Sequence, residues 1–364
     1  MKFIDEFRDP ALAKRLIAQI REEANRPVRL MEFCGGHTHA IFRFGLRQML
    51  APYVEMRSGP GCPVCVTAST DLDRAIALAQ IPDIILTTFG DMMRVRGSYG
   101  TLQQARAQGA DVRTIYSPLD ALDIARQNPE QHIVFLGVGF ETTAPGVAAA
   151  LLQAENEDLH NFSALSLHKL TPPAMRAILE AGEVKLDGIL GPGHVSAITG
   201  SDAWQFLPRD YGIPCAVSGF EPLDILGAIA ALVRAVIAGE PTIINAYRRG
   251  VQSEGNPVAR AMLDQVFAAS PADWRGFGAI PNSGLSMRPN FAHRDAALRF
   301  PVNVESTPPP PGCRCGEVLR GVIAPTACAL FGQICSPRNP IGPCMVSAEG
   351  ACAAYFKYGQ EFNE

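Results

Sequence analysis

Eight short β-prone runs, at 28–33, 54–57, 83–88, 112–116, 132–137, 162–167, 188–190 and 214–218, alternate with helical stretches through the first two thirds of the chain. This alternation restricts the fold more than any other feature. Strands that point the same way must be joined by crossovers, and a helix is the usual one. Helical periodicity falls where such crossovers belong, at 72–79, 119–127, 173–181 and 223–238. A further amphipathic stretch, 11–24, follows Asp9-Pro10, a capping side chain and a first-turn proline. The expected fold is α/β, with two successive sets of four strands forming two similar doubly wound parallel-sheet domains, 1–130 and 131–240. Residues 241–364 then hold a helical connection over 242–269, a stiff proline spacer at 308–311, and a small C-terminal domain rich in cysteine, glycine and proline. That last segment has few long apolar runs, so it needs a metal centre or docking to hold it.

Open parallel sheets bind ligands just beyond the carboxyl ends of their strands. In this chain those positions carry Cys34-Gly-Gly-His37, Gly59-Pro-Gly-Cys62, Gly137-Val-Gly-Phe-Glu141, His168-Lys169, Gly191-Pro-Gly-His194 and Ser218-Gly-Phe-Glu221. With 47% hydrophobic and 19% charged residues, disordered and fibrous classes are excluded. A net charge of −4 supplies no basic field for nucleic acid. The start of the chain has no apolar signal region, and the longest apolar stretch is interrupted by Asp224 and Arg234. The expectation is a cytoplasmic protein without a membrane partner. Gly137-Val-Gly-Phe-Glu-Thr lacks the third glycine of a dinucleotide fingerprint, and no phosphate-loop lysine motif is present.

Ten cysteines in a reducing compartment point to metal or redox chemistry, because structural disulfides are rare there. Cys34, at a strand end and against a helix start, has the helix dipole and the imidazoles of His37 and His39 to favour an accessible thiolate. The two histidines, two residues apart, suit a loop. The bland alternative is a buried structural cysteine beside surface histidines. Cys62-Pro-Val-Cys65 has the spacing of a redox dithiol and equally that of half a metal site. Six further cysteines, 313, 315, 328, 335, 344 and 352, crowd the tail, where four thiolates would satisfy a [4Fe–4S] cube and equally a zinc ion. Glu141 is either a proton carrier or a tie between two loops, and His194 either a ligand or proton donor or a structural histidine. His168 and Asp91 are lesser candidates.

MEFCGGHTH, GPGCPVC, GFETTAP, GPGHVSAITG, VSGFEPLDIL and the terminal CRCGEVLRG…GPCMVSAEGAC, in this order, resemble the hydrogenase maturation factor HypD family from about residue 28 onward. The resemblance implies two related α/β domains plus a [4Fe–4S] domain. It further implies a scaffold role in building the Fe(CN)2CO unit of [NiFe]-hydrogenases. Iron carrying cyanide and carbon monoxide would be held transiently by Cys34 together with a cysteine of a small HypC-type chaperone. Cyanide would come from a HypE-type donor. Cys62 and Cys65 would serve electron or thiol exchange, and Glu141, His37 and His194 would handle protons or bond to cyanide. The implied cluster ligands are Cys313, Cys328, Cys335 and Cys352, with Cys315 and Cys344 as possible replacements. The alternative from another class is an iron–sulfur-dependent thiol–disulfide oxidoreductase acting on a protein substrate. A third is a zinc-stabilised binding module.

Overall fold

The computed structural model describes residues 5–305, 307 and 310–359; Pro308 and Pro309 of the expected spacer lie outside them. Eleven strands form two parallel sheets and one hairpin among the described residues. β1 (Val28–Glu32), β2 (Val54–Ser58), β7 (Gly188–Pro192), β8 (Cys215–Ser218) and β9 (Ile243–Asn245) make a five-stranded sheet in the order β2-β1-β7-β8-β9. β3 (Ile84–Thr88), β4 (Asp111–Thr114), β5 (His132–Gly137) and β6 (Phe162–Ser166) make a four-stranded sheet in the order β4-β3-β5-β6. β10 (Phe267–Trp274) and β11 (Gly278–Met287) pair antiparallel.

Each parallel sheet is covered on both faces, and the strand period of two shows how. In the first sheet Leu30, Leu190 and Ala216 pack with Ile17, Ile20, Ile225 and Ile229 of the helices Pro10–Glu23 and Pro222–Ala238. Their neighbours Met31, Ile189, Cys215 and Val217 face the opposite way, into a core shared with the C-terminal segment. In the second sheet Leu86, Val134 and Leu136 face one core. Ile85, Ile133 and Phe135 face the other. Strands buried on both faces carry no polar alternation, which is why these runs read as β from composition alone.

All eight expected strands form, but their allocation differs from two successive sets. The first sheet takes two strands from the beginning of the chain and three from beyond residue 187, and the second sheet is inserted between them. A boundary at 130/131 therefore falls inside the second sheet, between β4 and β5. The reason is the pairing of β1 with β7, in register at Leu30 and Gly188, which only the tertiary fold creates. The helical connection over 242–269 is also corrected: it contains β9, the helix Pro257–Val266 and the first residues of β10. Pro271 hid the hairpin; proline sits in strands at edges or irregularities, and the ladder shifts register between Ser270 and Ala272. Among the described residues no helix is long and apolar enough to cross a membrane.

One buried cation ties the second sheet to its cover. Arg294 donates to the carbonyls of Ala154 and Phe162 at 3.2 Å each, to the carbonyl of Leu159, and to Glu155. It is 1% exposed. Replacing it strands several buried acceptors at once, and each unsatisfied group carries its own desolvation cost. Arg294→Ala is expected to lower unfolding stability by about 2–4 kcal/mol, read from the denaturant midpoint at unchanged slope. A loss within ordinary surface-substitution scatter would contradict this role.

Candidate functional site

Because β2, β1, β7 and β8 are adjacent and parallel, the loops at their carboxyl ends line up along one edge of the sheet. Those loops carry Gly59 to Cys62, Cys34 with Gly36, His194, and Phe220. Cys34 is the residue before the helix Gly35–Arg43, and Cys62 precedes the short helix Pro63–Val66. The two cysteine loops touch through backbone. Gly35 N donates to Gly61 O at 3.0 Å, and a Cβ at Gly61 would stand 2.4 Å from the Cys34 Cα. Only glycine permits that approach. Cys62 and Cys65 are joined by a disulfide, with Cα atoms 5.3 Å apart.

The electrostatics at Cys34 run opposite to the expectation of a favoured thiolate. Desolvation, then the carboxylates of Glu349 and Glu32, push its pKa up to about 12. The N–H groups of Gly36 and His37 pull the other way but are outweighed. The imidazole that was to help is neutral: burial lowers the His37 pKa to about 4. His37 and His39 lie on a helix and not on a loop. His37 points inward, its Nε2 donating to Gly219 O at 2.9 Å, while Nδ1 has no hydrogen-bond partner. His39 turns toward the tail and meets the hydroxyl of Tyr358 at 3.2 Å. His194 is exposed and stacks on Phe220.

Glu32 was not singled out from sequence. It is buried, accepts from Cys34 N at 3.0 Å and from the Thr38 hydroxyl, and burial raises it to about 7. An acid ending an otherwise apolar strand is the signal that was present for it. Phe220 and Glu349 carried no such signal, since their roles come from packing between distant segments. Glu141 sits apart, after β5. Its carboxylate accepts from Thr171 N at 2.7 Å and from the Thr171 hydroxyl at 3.1 Å, tying two loops together. It lines a cavity of about 710 Å³ with Leu170, Pro172, Phe267 and Leu285. None of its hydrogen bonds reaches the Cys34 loops.

The C-terminal segment docks on this same edge. Cys315, Cys335, Cys344 and Cys352 are buried in one apolar cluster with Phe33, Cys62 and Cys65. Cys65 Sγ lies 3.8 Å from the carbonyl of Pro343, the residue before Cys344. Among the tail thiols, the Cys315 and Cys344 sulfurs lie 2.8 Å apart. Cys313 hydrogen-bonds Cys315 and feels the charge of Cys328, and Cys344 also hydrogen-bonds Cys352. Cys328 faces Gly312 O at 3.8 Å, and Cys335 Sγ accepts from Ile341 N at 3.4 Å. Among the described residues no three His, Cys, Asp or Glu side chains converge as the ligands of a single metal ion would.

A protein-family model, HypD, described as the hydrogenase formation hypA family, matches residues 11–359. The chain is 49% identical to the hydrogenase maturation factor HypD of Azotobacter vinelandii, over 99% of this chain and 98% of the relative. The chain belongs to the HypD family. It is also 47% identical to HypD of Cupriavidus necator, over 99% of this chain and 98% of that one. With HypD of Escherichia coli the identity is 45% over the full length of both chains. These relatives are maturation factors, and the free-standing oxidoreductase reading gains no support from them.

On the second sheet, His168 follows β6 and is 1% exposed. Ser166 Oγ donates to Leu285 O at 2.9 Å, so His168 Nδ1 donates to Ser166 Oγ at 3.0 Å; the buried Nε2 has no partner, as a neutral ring requires. Burial and then Lys169 lower its pKa to about 3. In the unfolded chain it takes a proton near its ordinary value, about 6.5. The stability that neutral His168 contributes is therefore full above that value and is lost as pH falls toward the folded pKa. The denaturant-midpoint gap between wild type and His168→Gln is expected to narrow from about pH 7 to about pH 4. A gap constant across that range would contradict a buried neutral ring.

Proposed function

We propose that this HypD-family chain is the scaffold on which iron is held while cyanide and carbon monoxide are attached to make the Fe(CN)2CO unit of [NiFe]-hydrogenase. The observation that carries the reading is the meeting of Cys34, the Cys62–Cys65 pair and the cysteine-rich tail at one sheet edge. Cys34 supplies one thiolate to the iron, and a cysteine of a small HypC-type chaperone supplies another. A HypE-type protein delivers cyanide to that complex.

The protonation state of Cys34 suits cargo that comes and goes. A thiol with a pKa raised to about 12 stays neutral at physiological pH and parts with its proton when a cation takes its place. Soft sulfur then favours iron over hard divalent ions, and the strong-field cyanide and carbon monoxide make that iron low-spin. Glu32, bonded to Cys34 N, and Glu349, against Gly35, are the carboxyl groups placed to receive that proton. Cys62 and Cys65 are the thiol-exchange pair beside the cargo.

The tail is the part proposed to hold a resident [4Fe–4S] cluster. Its donor chemistry fits: a cube takes one thiolate per iron around a volume, so its ligands need not converge on one point. The proposed ligand set is the one the family resemblance implies, Cys313, Cys328, Cys335 and Cys352; Cys315 and Cys344, whose sulfurs lie 2.8 Å apart, are the possible replacements. When bound, such a cluster supplies electrons singly. The tail's own residues bury the disulfide pair and seat the helix Ala351–Tyr358 against the helix Gly35–Arg43, where Phe42 and Tyr355 rings lie 4.3 Å apart.

Two variants test the two halves. Cys34→Ser keeps shape but replaces a soft ligand by a hard, far less acidic one. It is expected to retain partner docking and lose the infrared bands of iron-bound cyanide and carbon monoxide. Bands at normal intensity would move the iron elsewhere, to Cys62 or Cys65. Cys328→Ala is expected to lose cluster iron and loosen the segment after residue 311 toward protease, whereas Cys315→Ala keeps most of its iron. Full iron retention in Cys328→Ala would overturn the ligand set.

A further inference from the structure

The ring of Phe220 stacks with two imidazoles. His37 stacks on it with centroids 4.7 Å apart and planes at 24°; His194 stacks on it at 3.8 Å and 21°. The three rings come from the ends of three neighbouring strands, β1, β7 and β8. The same ring reaches toward the proposed iron ligand. A Cβ at Gly36 would lie 3.0 Å from Phe220 Cε1 and 3.6 Å from Cys34 Sγ, so only the absent side chain separates the aromatic edge from the sulfur's surroundings.

The turn that places Phe220 is held from several sides. Gly219 O accepts the His37 Nε2 proton. A Cβ at Gly219 would meet Asp224 Oδ2 at 2.4 Å, and Asp224 in turn binds Arg249 through both carboxylate oxygens, at 2.6 and 2.5 Å. Tyr247 meets the edge of Phe220 at 6.5 Å. A half-buried aromatic ring fixed this firmly, against Gly36 at the carboxyl end of the sheet, has a use beyond filling a core.

We infer that Phe220 is a positioning residue of the iron site: its ring walls the space beside Cys34 against water and holds His37 and His194 stacked against it. This rests on the scaffold reading above. Apolar walls around a metal site control solvent access and local dielectric, and residues that orient its neighbours tune its ligands. Diatomic ligands on iron report both through their stretching frequencies. Phe220 touches neither cargo nor partner in this account; it acts through the space it closes and the rings it aligns.

The test uses the anaerobically isolated complex with its partners. F220A is expected to leave Cys34 and docking in place, to broaden and shift the cyanide and carbon monoxide bands, and to weaken iron retention roughly 10- to 100-fold, the range for loss of a supporting shell. F220Y, which keeps the stack, is expected to restore wild-type band positions. F220L, an apolar plug that cannot stack, guards against unfolding of the alanine variant and is expected to shift the bands in the same direction as F220A. In the iron-free protein, F220A should also move the ring-proton resonances of His37 and His194. Wild-type band positions and iron retention in both F220A and F220L would overturn the inference while leaving the scaffold reading intact. Absence of such bands in the wild-type complex would instead overturn the scaffold reading, and this inference with it.

Discussion

Strand β1 is hydrogen-bonded along both edges, to β2 from Val28 to Glu32 and to β7 from Leu30 to Glu32. The register on the β7 side is pinned by Asp187, which accepts from Arg29 N at 2.8 Å and Arg29 Nε at 3.0 Å, while its own N–H donates to Arg29 O at 2.8 Å. These bonds close a loop of more than 150 residues, within which the second sheet is folded. They also align the carboxyl ends of four parallel strands. Cys34, Cys62, His194 and Phe220 become neighbours for that reason and no other. A slip of β1 by one residue would turn Cys34 to the other face and dissolve the site.

The strands and their helices were legible because each buried run is locally consistent, from the β-branched 84–88 to the apolar 132–137. The candidate residues were legible for a related reason. Loops at parallel strand ends need glycine to turn, and the polar residue left beside that glycine stands out, as His194 does after Gly191-Pro-Gly. What could not be read was long-range. Nothing near residue 28 announces a partner strand at 188, so the strands were dealt to the wrong sheets. Phe220 looked like an ordinary aromatic because its stacking partners are far off in sequence. The thiolate expected at Cys34 failed on the same ground: the helix start was visible at Gly35, but the burial and the Glu349 carboxylate that outweigh it come from the fold.

The site is built from close packing more than from charge. Gly61 lies against the Cys34 backbone, Glu349 against Gly35, and Phe220 against Gly36. Such contacts leave a half-buried sulfur with a neutral imidazole and two carboxyl groups nearby, an arrangement poor at holding a free thiolate and suited to a soft cation that brings its own charge. The C-terminal segment belongs to this arrangement. Val318, Leu319, Met345 and Cys352 share a core with Met31 and Phe33, so the tail cannot move without disturbing the strand that ends at Cys34.

The central claim is that a single low-spin iron is held at Cys34, separate from any iron bound by the tail. Mössbauer spectroscopy of the anaerobically isolated partner complex, grown on isotopically enriched iron, tests it most directly. The account predicts a mononuclear low-spin ferrous component beside that of a [4Fe–4S] cluster. A spectrum in which all iron belongs to a cluster, or in which the mononuclear iron is high-spin, would contradict it.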